Sequence, residues 1–374
     1  MVPIAWGDFA NKASARFRSF SAIAVVVAVV FGAFGAQVIA QTAPELGTTA
    51  AIPTNLAGTV AYANPPSGFD PITASDAALA QYGFPARPDS QSAPQAYSLW
   101  QKLVSTPQTR ITNPDLQPTK TYHHPAMDLS SEGKILANGA ASYTASNWSG
   151  YAIVANNGTF NVNDAAVYGE YVMPIAQQAF GVCSGSWDYS AQWIGFDGFQ
   201  SNDVLQAGTE ANAYCSDGVR TASYLALYEW FPSGPVAISN LTIKPGNVMG
   251  LEVWYTTASP SGHLYMLNYT TQKSVTIGFN PPVGTTLAGN SVEWIVERPS
   301  LGSTYTSLTN YVATPFNKTY ALSDGTCSIP VRVRSARYIA LLCSQEAFRY
   351  QSPIYTATLL CGSTMRARPI SVLS

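Results

Sequence analysis

From about Ser142 onward the chain is written in short runs of β-forming residues separated by turn clusters, with no amphipathic helical stretch between them. Tyr224–Trp230, Leu251–Tyr255, Ser291–Glu297 and Arg337–Leu342 are such runs. Pro232-Ser233-Gly234-Pro235, Lys244-Pro245-Gly246-Asn247 and Ser259-Pro260-Ser261-Gly262 punctuate them. A chain patterned in this way hides its apolar side chains by stacking antiparallel sheets. The expected fold class is therefore all-β, a β-sandwich of two sheets. Aromatic residues at 12% and charged residues at only 11% suit that reading, because Tyr, Trp, Thr and Val fit a pleated, half-buried surface. Few ion pairs also means little stability lost when acid protonates carboxylates. A net charge of -2 without a basic stripe excludes nucleic acid as a partner.

The first 40 residues read as a signal peptide: Lys12, Arg16 and Arg18, then an apolar stretch Phe20–Ala36, then Val38-Ile39-Ala40 before Gln41. Secretion follows, with no membrane contact after cleavage; an uncleaved N-terminal anchor is the alternative. Residues 41–141 are Pro/Ala-rich and lack the apolar period needed for a core of their own. They are expected to be a partly disordered propeptide, with helices near Ser75–Gln81 and Pro94–Val104. An accessory domain or linker is the blander reading. Residues 142–374 then form the sandwich domain. Disulfides are the default for cysteines in an exported chain. The expected pairing is Cys183–Cys215 plus one bond among Cys327, Cys343 and Cys361. Asn147, Asn157, Asn240, Asn268 and Asn317 open glycosylation sequons.

After Ser142 there is one histidine, His263, in a turn-rich stretch that predicts a surface position. A Ser or Cys nucleophile would have no other imidazole base in the domain. No His-Glu-x-x-His or zinc-type Cys spacing occurs, so neither metal nor cofactor is expected. His123 and His124 adjoin, but inside the 41–141 segment. Carboxylates and amides remain. Strand alternation puts Glu293, Ile295 and Glu297 on one face, Leu225, Leu227 and Glu229 on another, and Trp193, Gly195 and Asp197 on a third. Acidic groups on faces bearing bulky apolar side chains suggest chemistry. Two readings stay open here: peptide hydrolysis, or a carbohydrate-binding module or glycosidase using Glu229 and Glu297.

Five segments in order resemble the glutamic peptidases, or eqolisins. They are Ser146-Asn147-Trp148-Ser149-Gly150-Tyr151, Gln192-Trp193-Ile194-Gly195-Phe196-Asp197-Gly198, Val204-Leu205-Gln206-Ala207-Gly208, Leu227-Tyr228-Glu229-Trp230-Phe231-Pro232 and Val292-Glu293-Trp294-Ile295-Val296-Glu297. The resemblance implies a concanavalin A-like sandwich of two curved antiparallel sheets with the site on a concave face. It implies Gln206 and Glu297 as the catalytic pair, and Trp148, Trp193, Asp197 and Glu229 as substrate-binding residues. The implied activity is a pepstatin-insensitive acid endopeptidase, a monomer acting on polypeptide substrates. Glu297 would be the base for water and Gln206 the oxyanion donor. Glu229 and Asp197 are expected to share a carboxylate network in which one is protonated. Arg298 departs from the family pattern and is expected to lower the pKa of Glu297. The propeptide is expected to act as an intramolecular inhibitor, with Lys120 or Lys134 pairing with the acidic site.

Overall fold

The computed structural model describes residues 50–119, 122–135, 141–154, 159–160, 165–311, 314–323, 327–329 and 368–373. Residues 1–40, expected to be a signal peptide, lie outside the described residues with Lys120, Asn157, Arg337–Leu342, Cys343 and Cys361, as do the side chains of Lys134 and Cys327. The leader contributes β1 (Ala51–Pro53), β2 (Thr59–Tyr62), α1 (Asp76–Gln81), α2 (Pro94–Ser105), β3 (Thr109–Arg110) and β4 (Leu116–Pro118). Next come β5 (Leu129–Ile135), β6 (Ala141–Ala145), β7 (Trp148–Val154), β8 (Ala166–Val172), β9 (Trp187–Tyr189) and β10 (Ala191–Phe196). The long hairpin β11 (Val204–Ser216) and β12 (Val219–Phe231) leads to β13 (Val236–Ile238), β14 (Val248–Tyr255), β15 (Gly262–Asn268), β16 (Lys273–Phe279) and β17 (Ser291–Glu297). Short strands β18 (Ser300–Leu301), β19 (Thr304–Tyr305) and β20 (Ser307–Leu308) precede β21 (Asn317–Ser323), β22 (Cys327–Ile329) and β23 (Arg368–Leu373).

Among the described residues these strands form two large sheets. One runs β1-β2-β16-β15-β14-β8-β21-β22 and the other β4-β13-β12-β11-β10-β17-β7-β23-β6-β5. The long pairings are antiparallel, so the expected all-β, two-sheet architecture is the one observed. Alternation drives it. Ile194, Leu205, Tyr228, Val292 and Trp294 of one sheet meet Val167, Leu251, Leu264 and Ile277 of the other in the central core. The Cys183–Cys215 disulfide is present as expected.

The described part of the leader carries regular structure, and it borrows its core. Ala96, Trp100, Leu103 and Val104 form one stripe of α2 and pack with Tyr168, Tyr265, Leu267 and Tyr320. Trp100 Nε1 donates to the Pro85 carbonyl at 3.0 Å, and Lys102 Nζ donates to Glu170 Oε1 at 2.6 Å. Composition predicts poor order for this segment taken alone. Its apolar partners come from the sandwich, which local composition cannot reveal. His263 also departs from its expected surface position: it sits on β15, 7% exposed. Its Nε2 is 3.0 Å from Thr256 Oγ1, and its ring stacks on Trp254. The Pro260-Ser261-Gly262 turn ends one residue before it, so His263 belongs to the strand that follows. Of the sequon asparagines, Asn147 and Asn268 are buried whereas Asn240 and Asn317 are exposed.

Glu252, in the middle of β14, is fully buried opposite Tyr168 and Tyr265. Burial pushes its carboxyl up to about 8, with Tyr320 opposing weakly. The folded state therefore holds a proton that the unfolded chain releases near pH ~4.3. The resulting stability is fully present below that pH and is lost as pH rises through 8. Glu252→Gln is expected to remove this dependence. Wild type should gain roughly 4 kcal/mol between pH 9 and pH 4 that the variant lacks, measured by urea unfolding across that range.

Candidate active site

Asp217 and Gly218, with φ of 51° and 78°, close the β11–β12 hairpin as a two-residue Asp-Gly turn. That turn sets Gln206, eleven residues before Asp217, opposite Glu229. On the other side of β11 lies β10, which also pairs with β17. Gly195 thus stands between Gln206 and Glu293, Trp193 between Gly208 and Ile295, and Ala191 between Glu210 and Glu297. Trp148 of β7 pairs with Glu297. Because side chains alternate, Gln206, Glu210, Glu229, Glu293 and Glu297 all project from one face, away from the central core. Each is at most 1% exposed.

Tryptophans make the floor. Trp193 Nε1 donates to Glu297 Oε2 at 2.7 Å, and Trp148 meets Trp193 edge-on at 5.0 Å. Gly208 leaves the room: a Cβ there would lie 2.6 Å from Trp193 Cβ and 2.2 Å from the Gln192 carbonyl oxygen. Asn147 Nδ2 is 3.5 Å from Glu297 Oε1.

A piece of the leader fills the concavity over this floor. His123 exchanges backbone hydrogen bonds with Ser300 at 3.0 and 2.9 Å, and Met127 N donates to the Gly198 carbonyl at 3.0 Å. Between these anchors the His124 carbonyl accepts from Gln206 Nε2 at 2.9 Å. The Pro125 carbonyl accepts from Trp148 Nε1 at 3.1 Å, and the Ala126 carbonyl from Asn147 Nδ2 at 3.1 Å. The His124 ring is fully buried, with Nδ1 2.7 Å from Glu229 Oε2 and Nε2 3.2 Å from Glu210 Oε1. His123 Nδ1 is 3.5 Å from Glu229 Oε1.

Burial alone would push the His124 pKa down. Contacts with Glu210 and Glu229 and attraction to Glu229 and Glu297 outweigh it and hold the ring well above the ordinary histidine range, as an imidazolium. For Glu297, burial dominates and raises the carboxyl well above the usual range, against His124 and the indole of Trp193. Burial also raises Glu293.

Of the residues singled out from the sequence, Gln206, Glu297, Glu229, Trp148 and Trp193 stand together on this face. Asp197 stands apart. It caps the backbone N–H groups of Gly289 and Asn290 at 2.8 Å each, and its carboxylate neighbour is Asp203 rather than Glu229. Burial and then Asp197 raise Asp203 to about 6, so the expected carboxylate sharing occurs in this second pair. Asp197 thereby shapes the turn whose Gly198 carbonyl receives Met127. The leading influences on Glu297 do not include Arg298. Its Nη2 donates to the Ser146 carbonyl at 2.8 Å and its guanidinium lies over Tyr305, because consecutive residues of an extended chain point to opposite sides. Among the described residues the leader's cations at the site are His123 and His124, while Lys102 pairs with Glu170 elsewhere. Glu210 and Asn147 were missed as site residues. Glu210 was legible as the same-face neighbour of Gln206 two alternations along β11, and Asn147 lay within a recognised motif. His124 carried no signal, since only tertiary structure carries it to the cleft. Among the described residues no cluster of His, Cys, Asp and Glu has the arrangement of a metal site.

Residues 146–360 match the peptidase A4 family. The chain belongs to that family, the glutamic peptidases its motifs resemble. Aspergillopepsin-2 of Aspergillus niger is 30% identical over 195 residues, which cover 48% of this chain and 65% of that protein. The chain thus spans just under two thirds of that relative's length. A crystal structure of scytalido-glutamic peptidase with a transition state analog inhibitor is 25% identical, covering 48% of this chain and 81% of that one with a TM-score of 0.39. The aspergilloglutamic peptidase structure from Aspergillus niger is 30% identical, covering 38% of this chain and 81% of that one with a TM-score of 0.34.

Gly208→Ala is expected to destabilise the protein by about 1–3 kcal/mol and to displace Trp193 from Glu297. Unfolding curves together with tryptophan fluorescence check both effects.

Proposed function

We propose that this chain is the precursor of a secreted acid endopeptidase in which Glu297 activates water and Gln206 stabilises the oxyanion. The observation that carries this reading is the Gln206 amide donating at 2.9 Å to a peptide carbonyl, that of His124, on the face that bears Glu297. An amide N–H aimed at a carbonyl oxygen is what a developing oxyanion requires, and glutamine keeps that donor at any pH. Gln206 Oε1 is buried without a hydrogen-bonding partner among the described residues, so it is free to orient a water.

Glu297 is oriented by Trp193 and Asn147. In the reaction, it takes a proton from water as the oxygen attacks the carbonyl carbon. It then delivers that proton to the departing amine as the C–N bond breaks. Burial is the leading cause of its raised pKa. Opening of the cleft hydrates the carboxyl and returns it toward the acidic range, where it can serve as a base in acid. Glu229 and Trp148 hold the substrate backbone, as they hold His124 N at 3.1 Å and the Pro125 carbonyl.

The leader is the inhibitor in this reading. It fills the space where substrate and water must enter. Its grip rests on His124 against Glu210 and Glu229, with His123 on Glu229, Glu297 nearby and Tyr122 beside Glu210. Loss of these contacts releases the segment and opens the cleft. Secretion rests on the N-terminal apolar stretch alone. Membership of a peptidase family leaves the sugar-directed alternative without support.

Acid-matured protein should digest denatured globin between pH 2 and 5 in the presence of pepstatin and chelators. Gln206→Ala should lower kcat by about 10²–10³-fold, and Glu297→Gln by at least about 10²-fold. Full activity in Glu297→Gln would remove Glu297 as the base.

A further inference from the structure

The leader segment lies in the cleft as a substrate strand would, and its chain direction identifies the bond at the centre. Gln206 holds the His124 carbonyl, while Trp148 and Asn147, the neighbours of Glu297, hold the next carbonyl, that of Pro125. The His124–Pro125 peptide bond therefore sits between the oxyanion donor and the base. The edge bridge to Ser300 on one side and the bond to Gly198 on the other keep the strand extended, as in β-augmentation.

The side chain on the amino side of that bond enters a built pocket. Glu210 and Glu229 stand at its two ring nitrogens, both carboxylates are at most 1% exposed, and Asn212 Nδ2 fixes Glu210 at 2.6 Å. Tyr122 closes one side, its ring 5.8 Å from the imidazole. One carboxylate hydrogen-bonds Nδ1 at 2.7 Å and the other lies 3.2 Å from Nε2, so negative charge faces both nitrogens of one flat ring, which matches histidine. An aliphatic side chain would leave both buried carboxylates without a cation between them. An ammonium presents one point of charge to two separated acceptors.

We propose that Glu210 and Glu229 form the subsite for the residue preceding the scissile bond, that this subsite selects histidine, and that His124–Pro125 occupies it as a poorly cleaved stand-in for substrate. The proposal rests on Gln206 and Glu297 being the catalytic pair. Cleavage after histidine adds water at the histidine carbonyl carbon, with the water proton passing through Glu297 to the leaving nitrogen and a histidine carboxylate and a free amine as products. Pro125 places a ring on that nitrogen, where the proton must arrive, and the bulk of the ring hinders the approach.

Two measurements test this. Peptides identical except for His, Leu, Gln or Lys before one bond are given to the acid-matured full chain, and mass spectrometry reads the bond cut. The His peptide is expected to have kcat/KM at least about tenfold above the Leu peptide, and Glu210→Gln is expected to bring that ratio toward one. Separately, the Pro125→Ala precursor is expected to cut itself between residues 124 and 125, and the same change combined with Glu297→Gln to remain whole. Equal rates for all four peptides, with globin digestion still lost in Glu297→Gln, would overturn the subsite and leave the catalytic pair standing. Globin digestion that survives Glu297→Gln would remove the catalytic pair and the subsite with it.

Discussion

Four glutamates, Glu210, Glu229, Glu293 and Glu297, are buried on one face of the four adjacent strands β12, β11, β10 and β17. A carboxylate without water must be paired, hydrogen-bonded or neutral. Much of what surrounds the cleft meets that demand. Trp193 and Asn147 donate to Glu297, Asn212 donates to Glu210, and His124 brings a cation to Glu210 and Glu229. Glu293 has no cation among its neighbours and is driven toward the neutral acid. The leader is thus part of the electrostatic closure of the site as well as a physical cover.

The same rule links fold stability to pH. Glu252 on the other sheet and Asp203 near Asp197 are also raised by burial. Buried neutral acids favour the folded state at low pH, whereas His263, lowered to about 4 by burial, opposes folding as pH falls from its ordinary range to that value. A fold with few ion pairs and several buried acids leans toward acid, consistent with chemistry carried out by carboxylates.

Recognition also reads as a consequence of register. The Asp217-Gly218 turn fixes β12 against β11, and one residue of slip would turn Glu229 into the central core and Tyr228 into the cleft. Glycines at 195 and 208 keep the strands close enough for Trp193 to reach Glu297. The leader then adds its own short pairings, β2 on β16 and β4 on β13, and delivers residues 122–128 across the opening.

Residues alternating along the strands determined much by themselves: the all-β class and the faces carrying Glu229, Glu293 and Glu297; the grouping of Gln206 with the tryptophans came from the motifs' resemblance to the glutamic peptidases. Period-two patterning is local, and a buried face is written directly into it. Tertiary structure alone decided where Asp197 and Arg298 point, that His263 is buried, and that the leader packs on the sandwich. It also brought His124, 82 residues before Gln206, to that amide. Those outcomes depend on contacts between segments far apart in the chain, where the partner's identity is set by how the two sheets and the leader pack and leaves no periodic trace in either segment.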